Sequence, residues 1–451
     1  MSDRAHARRD RPPAALLRAR FPGPVLEVLR RLDQAGHRSW LVGGAVRDVL
    51  LGRRRDGADF DVATPARPEA VTALFRKVIP TGLEHGTVTV ITPGGPVEVT
   101  TFRGEGAYLD GRRPSSVTFL DEIEADLARR DFTVNALAYD PLDRAFCDPF
   151  GGRGDLRRRL LRAVGDPAAR FAEDGLRPLR AARFAAQLDF RLDAATAAAI
   201  PAALPVAAQV AAERVADELS RLLEAAHPRP GLEVLEASGL IAVVLPALGG
   251  LRAVERAHAY ATASAVGADL TLRAAALLHV LAVPGAPEGV GARVRTVLAG
   301  LRFPGQVADG AATLIARHGC LLSAHRPPPP GRKVEARRWL SALGPSRLPA
   351  VLELWEADAR ALSLSRSTRA RRELREFRAL LSRVRRERPP LSVAELKLDG
   401  RAVMEILAVP AGPAVGEALR HLLDRVLEDP HLNTAAALAS ELRAWWRART
   451  G

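Results

Sequence analysis

Cysteine is scarce in this chain, and long apolar runs are absent. Cys147 and Cys320 are the two cysteines among 451 residues, so the sequence predicts neither a disulfide framework nor a cysteine-rich zinc site, and it suits a reducing cytoplasm. No apolar run reaches the ~18 residues that span a bilayer, so we expect no membrane segment. Residues 1–20 lack a cleavage-like site and are interpreted as a disordered basic tail rather than a signal peptide.

Acidic residues are in deficit, because 66 Lys+Arg stand against 52 Asp+Glu and give a net charge of +14. Such a charge favours a polyanionic partner, nucleic acid before membrane. A genome-wide bias towards arginine and alanine explains the same excess, so charge alone leaves both interpretations open. The length predicts two to four compact units.

Strand patterns concentrate in residues 21–150. The segment "HRSWLVGGAV" reads as a strand that ends at a glycine pair, and "ADFDVAT" reads as a second strand. Two further strands, "GTVTVIT" and "VEVTTF", flank the turn residues "PGG" and predict a hairpin. With the helical spacing of "EAVTALF", this pattern predicts an α+β unit on a small, largely antiparallel sheet. From about residue 166 the periodicity is helical, and the proline-rich segment 325–332 predicts a stiff linker.

The stretch "DFDVAT" places two acids where a buried strand is predicted. Residues two apart on a strand share a face with Cα atoms ~6.5 Å apart, so Asp59 and Asp61 would face away from Phe60 and Val62. Two carboxylates that close repel unless a cation lies between them, and oxygen ligands suit Mg²⁺. The alternative is an edge strand whose solvated face carries two acids.

A glycine pair precedes these acids in "LVGGAVRDVLLG". Gly43 and Gly44 join a predicted strand to a predicted helix, and glycine there lets the backbone approach a phosphate. Arg47 falls in the first helical turn and could contact the same anion. The alternative is an ordinary strand–helix turn.

These residues together resemble the active-site signature of the class II tRNA nucleotidyltransferase and bacterial poly(A) polymerase family. The motifs "VEVTTFRGEGAYLDGRRPSSVTF", "DLARRDFTVNALAYD" and "EDGLRPLRAAR" follow in the family's order. The resemblance implies a nucleotidyltransferase head over 21–165, followed by an all-α neck (166–230), body (231–325) and tail (333–451). It also implies a metal-dependent attack of an RNA 3′-OH on the α-phosphate of a nucleotide, with release of pyrophosphate.

The resemblance also implies roles for single residues. Glu98 is the third catalytic carboxylate beside Asp59 and Asp61, although a solvent-facing Glu on an amphipathic strand is the plain alternative. Arg130 resembles the arginine that contacts the triphosphate. Asp131 is expected to hold nearby arginines or the nucleotide sugar, and a purely structural Arg-Asp segment is the alternative.

The "EDGLRPLRAAR" motif resembles the helix with which the family selects its nucleotide. There the resemblance assigns Asp174 and Arg177 to the base edges of CTP and ATP, with Arg180 and Arg183 as further nucleotide contacts. A carboxylate accepts from the exocyclic amines of C and A, and a guanidinium donates to ring acceptors. Three-residue steps rotate by about −60° on a helix, which puts Arg183 roughly opposite Asp174. A surface ion pair is the alternative for Asp174 and Arg177, and Gly175, where the family usually has Pro, could loosen the start of the helix.

We expect an enzyme closest to the bacterial CCA-adding members, which binds tRNA, CTP, ATP and Mg²⁺ and works without a template in the cytoplasm. The chain lacks the basic "GRRF"-like stretch of the poly(A) polymerases, and "AYLDGRRPSSV" resembles the flexible loop of enzymes that add the terminal A. A-adding, CC-adding and poly(A)-synthesising members of the family remain as alternatives.

The body carries a last pattern. Many bacterial relatives have a His-Asp metal site there, but His279 is followed by Val280, so we expect that site to be degenerate and His279 to be an ordinary core or surface histidine. His258 and His318 show no ligand spacing. The arginines of 367–388 are candidates for tRNA phosphate contacts, or form a solvated basic helix.

Overall fold

The structure is a computed structural model that describes residues 10–53, 60–83, 86–105, 117–282, 287–321 and 331–450. Contacts divide the chain into two compact units, Met1–Gly249 and Gly250–Gly451. The finer division into head, neck, body and tail stays a prediction. The proline-rich linker and most of the predicted flexible loop lie outside the described residues.

The first unit carries every strand of the described chain. They are β1 (Trp40–Val42), β2 (Asp61–Thr64), β3 (Val78–Gly82), β4 (Thr87–Thr92), β5 (Gly95–Thr101), β6 (Arg103–Glu105), β7 (Val117–Phe119), β8 (Ala138–Asp140), β9 (Ala145–Cys147), β10 (Leu160–Leu161) and β11 (Arg191–Leu192). Seven of them form one sheet in the order β3-β4-β5-β2-β1-β8-β9. Only the β2–β5 pair of this sheet is parallel, which confirms the predicted mixed, largely antiparallel sheet.

The predicted hairpin is confirmed as β4 and β5, whose closing turn pairs Thr92 with Gly95. The predicted "DFDVAT" strand begins at Asp61, and Val62, Ala63 and Thr64 are all buried. Apolar side chains of β1, β2, β8 and β9 pack with the helix that follows β7 into one core, which includes Trp40.

Helices surround the sheet and then replace it. In the first unit they are α1 (Ala14–Arg18), α2 (Gly23–Gln34), α3 (Gly44–Leu50), α4 (Pro68–Leu74), α5 (Ile123–Ala128), α6 (Gly152–Arg158), α7 (Pro167–Glu173), α8 (Arg177–Leu188), α9 (Ala194–Ala199), α10 (Leu204–Ala207), α11 (Ala212–Leu223), α12 (Arg229–Ala237), α13 (Leu240–Val244) and α14 (Pro246–Gly249). The prediction of a disordered tail was wrong for α1, because Leu16 is buried there and Asp10 bridges to β9 at Phe146.

The described part of the second unit is helical throughout, as predicted. Its helices are α15 (Ala253–Ala265), α16 (Leu270–Leu278), α17 (Pro287–Gly300), α18 (Gly305–His318), α19 (Lys333–Leu343), α20 (Leu348–Arg360), α21 (Leu364–Arg386), α22 (Gly400–Leu407), α23 (Pro413–Glu428) and α24 (Ala435–Thr450). α15, α16, α18 and α20 pack against one another, while α22, α23 and α24 share a separate apolar core. None of the described helices is long and apolar enough to cross a membrane.

Candidate active site

The turn between β1 and α3 brings backbone against two predicted site residues. Gly43 has φ +69° and ψ −132°, a backbone conformation that residues with a Cβ rarely adopt. A Cβ at this position would lie 3.0 Å from Nη1 of Arg130 and 3.8 Å from Oδ2 of Asp61. Gly43, Asp61 and Arg130, from three separate segments, therefore meet at one point.

Asp61 and Glu98 lie side by side on the two parallel strands. They are direct partners in the β2–β5 register, which puts their Cα atoms ~4.8 Å apart and their side chains on one face of the sheet. Glu98 is exposed, while Val97, Val99 and Thr101 on the other face are buried. The predicted alternation along β5 is confirmed, and it presents two carboxylates together.

Paired carboxylates are oxygen ligands of the kind that hard divalent cations take. Asp61 and Glu98 fit one side of such an ion, because neighbouring strands fix their spacing while Glu98 stays open to solvent. Asp59 lies outside the described residues, so its predicted part in the pair with Asp61 remains a prediction.

Arg130 is held in place by a buried acid. Asp126 on α5 accepts from Nη2 of Arg130 at 3.2 Å and from Nε of Arg129 at 3.0 Å. Burial raises the pKa of Asp126, but the two guanidinium groups lower it by more, so its pKa is below the usual value and the carboxylate stays ionised. Nε of Arg130 is buried without a hydrogen-bond partner in the described chain. Nη1 of the same guanidinium lies beside the Gly43 backbone, where an anion would meet it, and this is the contact predicted for a triphosphate.

Arg47 is buried instead of facing solvent. Its Nε donates to Oδ1 of Asp48 at 2.8 Å, and its Nη1 donates to Oδ1 of Asn135 at 2.7 Å. Asn135 in turn donates from Nδ2 to Oδ1 of Asp131 at 3.1 Å. Arg47 therefore connects the glycine turn to the Arg130-Asp131 segment.

Asp131 connects that segment to α8. Its Oδ2 lies 2.6 Å from Nη2 of Arg180, and its Oδ1 accepts from the backbone N–H of Phe132 at 2.8 Å. Burial raises the pKa of Asp131, but Arg180 and the hydrogen bonds outweigh this effect and lower the pKa to about 2. The expectation that Asp131 holds a nearby arginine agrees with this contact.

Glu218 on α11 contacts the last two arginines of the motif. Its Oε2 is 2.5 Å from Nε of Arg183, and its Oε1 is 3.8 Å from Nη1 of Arg180. Burial lowers the pKa of Arg183, and the charge of Glu218 partly opposes this effect. Arg183 is 6% exposed and is paired with Glu218. Its predicted contact with a nucleotide therefore requires the guanidinium to contact the nucleotide and Glu218 together.

Asp174 and Arg177 do not share a helix. α7 ends at Glu173 and α8 begins at Arg177, so Asp174 lies in the extended link between them and the predicted helical rotation from Asp174 to Arg183 was wrong. Oδ2 of Asp174 accepts from Nη2 of Arg214 at 3.0 Å. Arg177 is 7% exposed and pairs with Glu173. Both residues thus have polar partners before any nucleotide binds.

The unusual glycine of the motif packs closely. A Cβ on Gly175 would lie 2.4 Å from the carbonyl oxygen of Val206, which is a hard clash with backbone. The expectation that Gly175 loosens the helix start was wrong, because its lack of a side chain lets the link between α7 and α8 pack directly on the backbone of α10.

Several residues in these contacts were not predicted as site residues, among them Asp126, Asn135, Arg214 and Glu218. Asp126 precedes Arg130 by four positions, and this helical spacing could have identified it. Arg214 and Glu218 meet the motif only through the packing of α11 against α8, and no local pattern signals that.

The second unit contains a cluster that the sequence analysis missed. Side chains of His258, His279, Cys320 and Asp358 are buried, and one donor atom of each lies within 4.8 Å of the others. Nε2 of His318 lies 2.7 Å from Oδ2 of Asp358. The prediction that His258 lacks a ligand arrangement was wrong, whereas His318 contacts Asp358 from outside the group of four. His279 is buried, in agreement with the prediction of a core histidine.

The cluster perturbs its own titration. Burial raises the pKa of the Cys320 thiol, but the charge of His279 outweighs this effect, and the pKa is lowered to about 6. Burial lowers the pKa of His258, but its hydrogen bond with Asp358 raises it to about 9. By contrast, burial among acids raises the pKa of Cys147 to about 12.

Two family models match the first unit. The model described as "Poly A polymerase head domain" matches residues 39–162, which include the glycine turn, Asp61, Glu98 and Arg130. The model described as "Probable RNA and SrmB- binding site of polymerase A" matches residues 189–250.

Curated relatives extend the likeness over most of the chain. The chain is 36% identical to a CCA-adding enzyme of Geobacillus thermodenitrificans over 88% of its length and 90% of the relative's. It is 37% identical to the Geobacillus stearothermophilus CCA-adding enzyme with the same coverage. The chain belongs to the CCA-adding enzyme family. Enzymes of this nucleotidyltransferase family generally use a divalent metal ion.

Solved structures of CCA-adding enzymes agree with the fold. The crystal structure of the Bacillus stearothermophilus CCA-adding enzyme in complex with CTP is 33% identical and matches 95% of this chain and 99% of its own, with a TM-score of 0.72. The Thermotoga maritima CCA-adding enzyme complexed with tRNA matches 97% of this chain and 99% of its own with a TM-score of 0.62, and at 20% identity it supports the fold alone.

Proposed function

We propose that this member of the CCA-adding enzyme family adds C, C and A to the 3′ end of tRNA from CTP and ATP, without a template and in the cytoplasm. The meeting of Asp61, Glu98, Gly43 and Arg130 carries the proposal. Two carboxylates can hold a cation there, while the backbone N–H groups of the glycine turn and the guanidinium of Arg130 donate hydrogen bonds to the phosphates.

The catalytic cation that we propose is Mg²⁺, held by Asp59 and Asp61 with Glu98 beside them. When bound, it neutralises triphosphate charge and activates the RNA 3′-OH for in-line attack. Oxygen-only donors on a face of the sheet where Glu98 is open to solvent suit this ion, because Mg²⁺ keeps several waters and shares substrate phosphates. Arg130, fixed by Asp126, orients the leaving pyrophosphate.

Base selection follows from Asp174 and Arg177. Cytosine and adenine present an exocyclic amine to the carboxylate and a ring acceptor to the guanidinium, whereas uracil and guanine present the opposite pattern. In the structure Asp174 accepts a hydrogen bond from Arg214, and Arg177 pairs with Glu173. A base that offers the right pattern replaces those contacts, and a base with the wrong pattern leaves a buried group unpaired.

The tRNA surface includes α21, in our proposal. Arg371, Arg372 and Arg375 are exposed on this helix, while Leu374 and Phe377 are buried on its other side. A row of exposed guanidinium groups matches an RNA phosphate backbone without reading its sequence.

The decisive experiment supplies the purified chain, Mg²⁺ and labelled CTP and ATP with tRNAs that end before the first C, after the second C, or complete. We expect addition to stop at a complete CCA end. Products that stop at CC, A-only extension, or open-ended poly(A) would each replace the proposal with the corresponding alternative activity.

A second experiment isolates base selection. Arg177→Ala and Asp174→Ala should reduce the ratio of kcat/KM for CTP over UTP, whereas Arg229→Ala on an exposed helix face should leave this ratio unchanged. Unchanged rejection of UTP in both site variants would contradict the pairing role while leaving the metal site untouched.

A further inference from the structure

The buried cluster of the second unit lies where four helices converge. His258 lies on α15, His279 follows α16, and Asp358 lies on α20. Cys320 comes two residues after α18, past Gly319, whose φ of +71° ends that helix and turns the chain inwards. Each of the four side chains is at most 5% exposed. The fold therefore gathers these donors from segments up to 100 residues apart and removes them from solvent.

Their chemistry matches a transition-metal site better than a plain polar core. Two imidazole nitrogens, one sulfur and one carboxylate oxygen form the mixed donor set that Zn²⁺ takes in proteins. Hard cations such as Mg²⁺ prefer oxygen donors and fit this set poorly. With neutral histidines, a thiolate and a carboxylate, one divalent ion also makes the buried site electrically neutral.

The histidines are oriented as metal ligands are. Nδ1 of His279 lies 2.6 Å from the carbonyl oxygen of Ala276, and a carbonyl only accepts, so this nitrogen carries the proton. Nε2 of His279 then faces Oδ2 of Asp358 at 3.5 Å and has no hydrogen-bond partner in the described chain. A histidine that donates one N–H to a backbone carbonyl keeps the other nitrogen available for a metal.

His258 has the same arrangement, with a longer contact between Nδ1 and the backbone. Its Nδ1 lies 3.3 Å from the carbonyl oxygen of Ala361, and its Nε2 points to Oδ1 of Asp358 at 2.7 Å. Both imidazoles therefore turn Nε2 towards the same carboxylate and put Nδ1 on backbone.

Asp358 is held from the outside. Its Oδ2 accepts from the backbone N–H of Leu321 at 2.8 Å and lies 2.7 Å from Nε2 of His318. These contacts fix the carboxylate, whose Oδ1 faces His258 and whose Oδ2 also faces His279. Outer partners of this kind set the orientation of ligating carboxylates.

The distances need only small adjustments. Zn²⁺ bonds of about 2.0–2.3 Å in a tetrahedron separate the donor atoms by about 3.3–3.8 Å. The four donor atoms already lie within 4.8 Å of one another, so an ion draws in the longest pairs and parts His258 from Asp358.

We propose that His258, His279, Cys320 and Asp358 bind one Zn²⁺ as a closed, four-coordinate structural site of the second unit. All four positions come from protein, which leaves none for water or substrate and favours a structural role over catalysis. The ion would tie α15, α16, the end of α18 and α20 together, independently of nucleotide addition in the first unit.

Metal analysis tests the proposal directly. The full chain, purified without a histidine tag and desalted after dialysis against ZnSO₄, should hold about one Zn²⁺ by elemental mass spectrometry, since one closed site is proposed. Cys320→Ser and His258→Gln should lose most of it, whereas Cys147→Ser and His431→Gln should retain it. Asp61→Asn should also retain it, because the head is not the zinc site. Less than a tenth of an equivalent in the wild type, or equal zinc in Cys320→Ser, overturns the proposal.

Cobalt reports the ligands even if a variant folds poorly. Wild-type protein stripped with a chelator and titrated with Co²⁺ should show a thiolate-to-metal charge-transfer band and the intense visible bands of a tetrahedral ion. These bands should vanish in Cys320→Ser and persist in Cys147→Ser. A wild-type spectrum without the charge-transfer band contradicts the assigned thiolate ligand.

Removal of the metal with a chelator should also lower the thermal midpoint of the second unit, and added Zn²⁺ should restore it. An unchanged midpoint contradicts the structural role.

Discussion

Replacing Gly43 by alanine tests whether the glycine turn positions the active site. The backbone there has φ +69° and ψ −132°, and an alanine in so sparsely populated a region costs about 1–3 kcal/mol. Its Cβ also lies 3.0 Å from Nη1 of Arg130, so that guanidinium must shift by a few tenths of an ångström. A displacement of 1 Å at a reacting centre can cost about 100-fold, so we expect about a tenfold loss of kcat for the smaller shift.

Gly36→Ala is the matched control. Gly36 also has a positive φ, +83°, but a Cβ there meets nothing within 4 Å. Both variants should lower the thermal midpoint, since both strain the backbone, but only Gly43→Ala should slow CMP addition to tRNA that lacks its CCA end. Wild-type kcat in Gly43→Ala, or an equal loss in both variants, would refute the idea that close approach at Gly43 positions Arg130 and Asp61.

Three further substitutions test other parts of the first unit. Glu98→Gln should reduce nucleotide addition by at least about 100-fold at an unchanged thermal midpoint, because it removes charge from an exposed position beside Asp61; single-turnover kinetics measure this, and near-normal rates would exclude a catalytic role. Gly175→Ala should destabilise the protein by about 1–3 kcal/mol through its clash with Val206, and calorimetry showing no shift would contradict the close packing. Asp131 has a pKa of about 2 in the folded protein against 3.8 for the free side chain. Its ionisation therefore contributes about 2 kcal/mol to the free energy of unfolding above pH 4, and this contribution is lost as the pH falls through 2. Urea unfolding of Asp131→Asn should lack that part of the acid dependence, and identical pH profiles for variant and wild type would argue against the ion pair.

Local patterns predicted the parts of the site that local geometry determines. The alternation in "VEVTTF" placed Glu98 opposite the buried valines, and the glycine pair marked the turn at Gly43. Both depend on backbone periodicity or on φ, which a few neighbouring residues set.

Tertiary packing decided the rest. Asp174 was placed on a helix because "EDGLRPLRAAR" is helical in spacing, yet Gly175 packs against Val206 and the helix starts only at Arg177. The buried cluster was missed for a related reason. His258 and Asp358 are 100 residues apart, and only the packing of α15 on α20 brings them together.

The sheet order has a consequence for synthesis of the chain on the ribosome. β1 is paired on one side by β2 and on the other by β8, which emerges almost 100 residues after β1. Until residues 138–147 leave the exit tunnel, the edge of the apolar strand Trp40–Val42 has no partner, and open apolar edges invite pairing with other chains. A nascent chain that stalls before residue 138 would already contain Asp61 and Glu98, but its sheet would be open to aggregation.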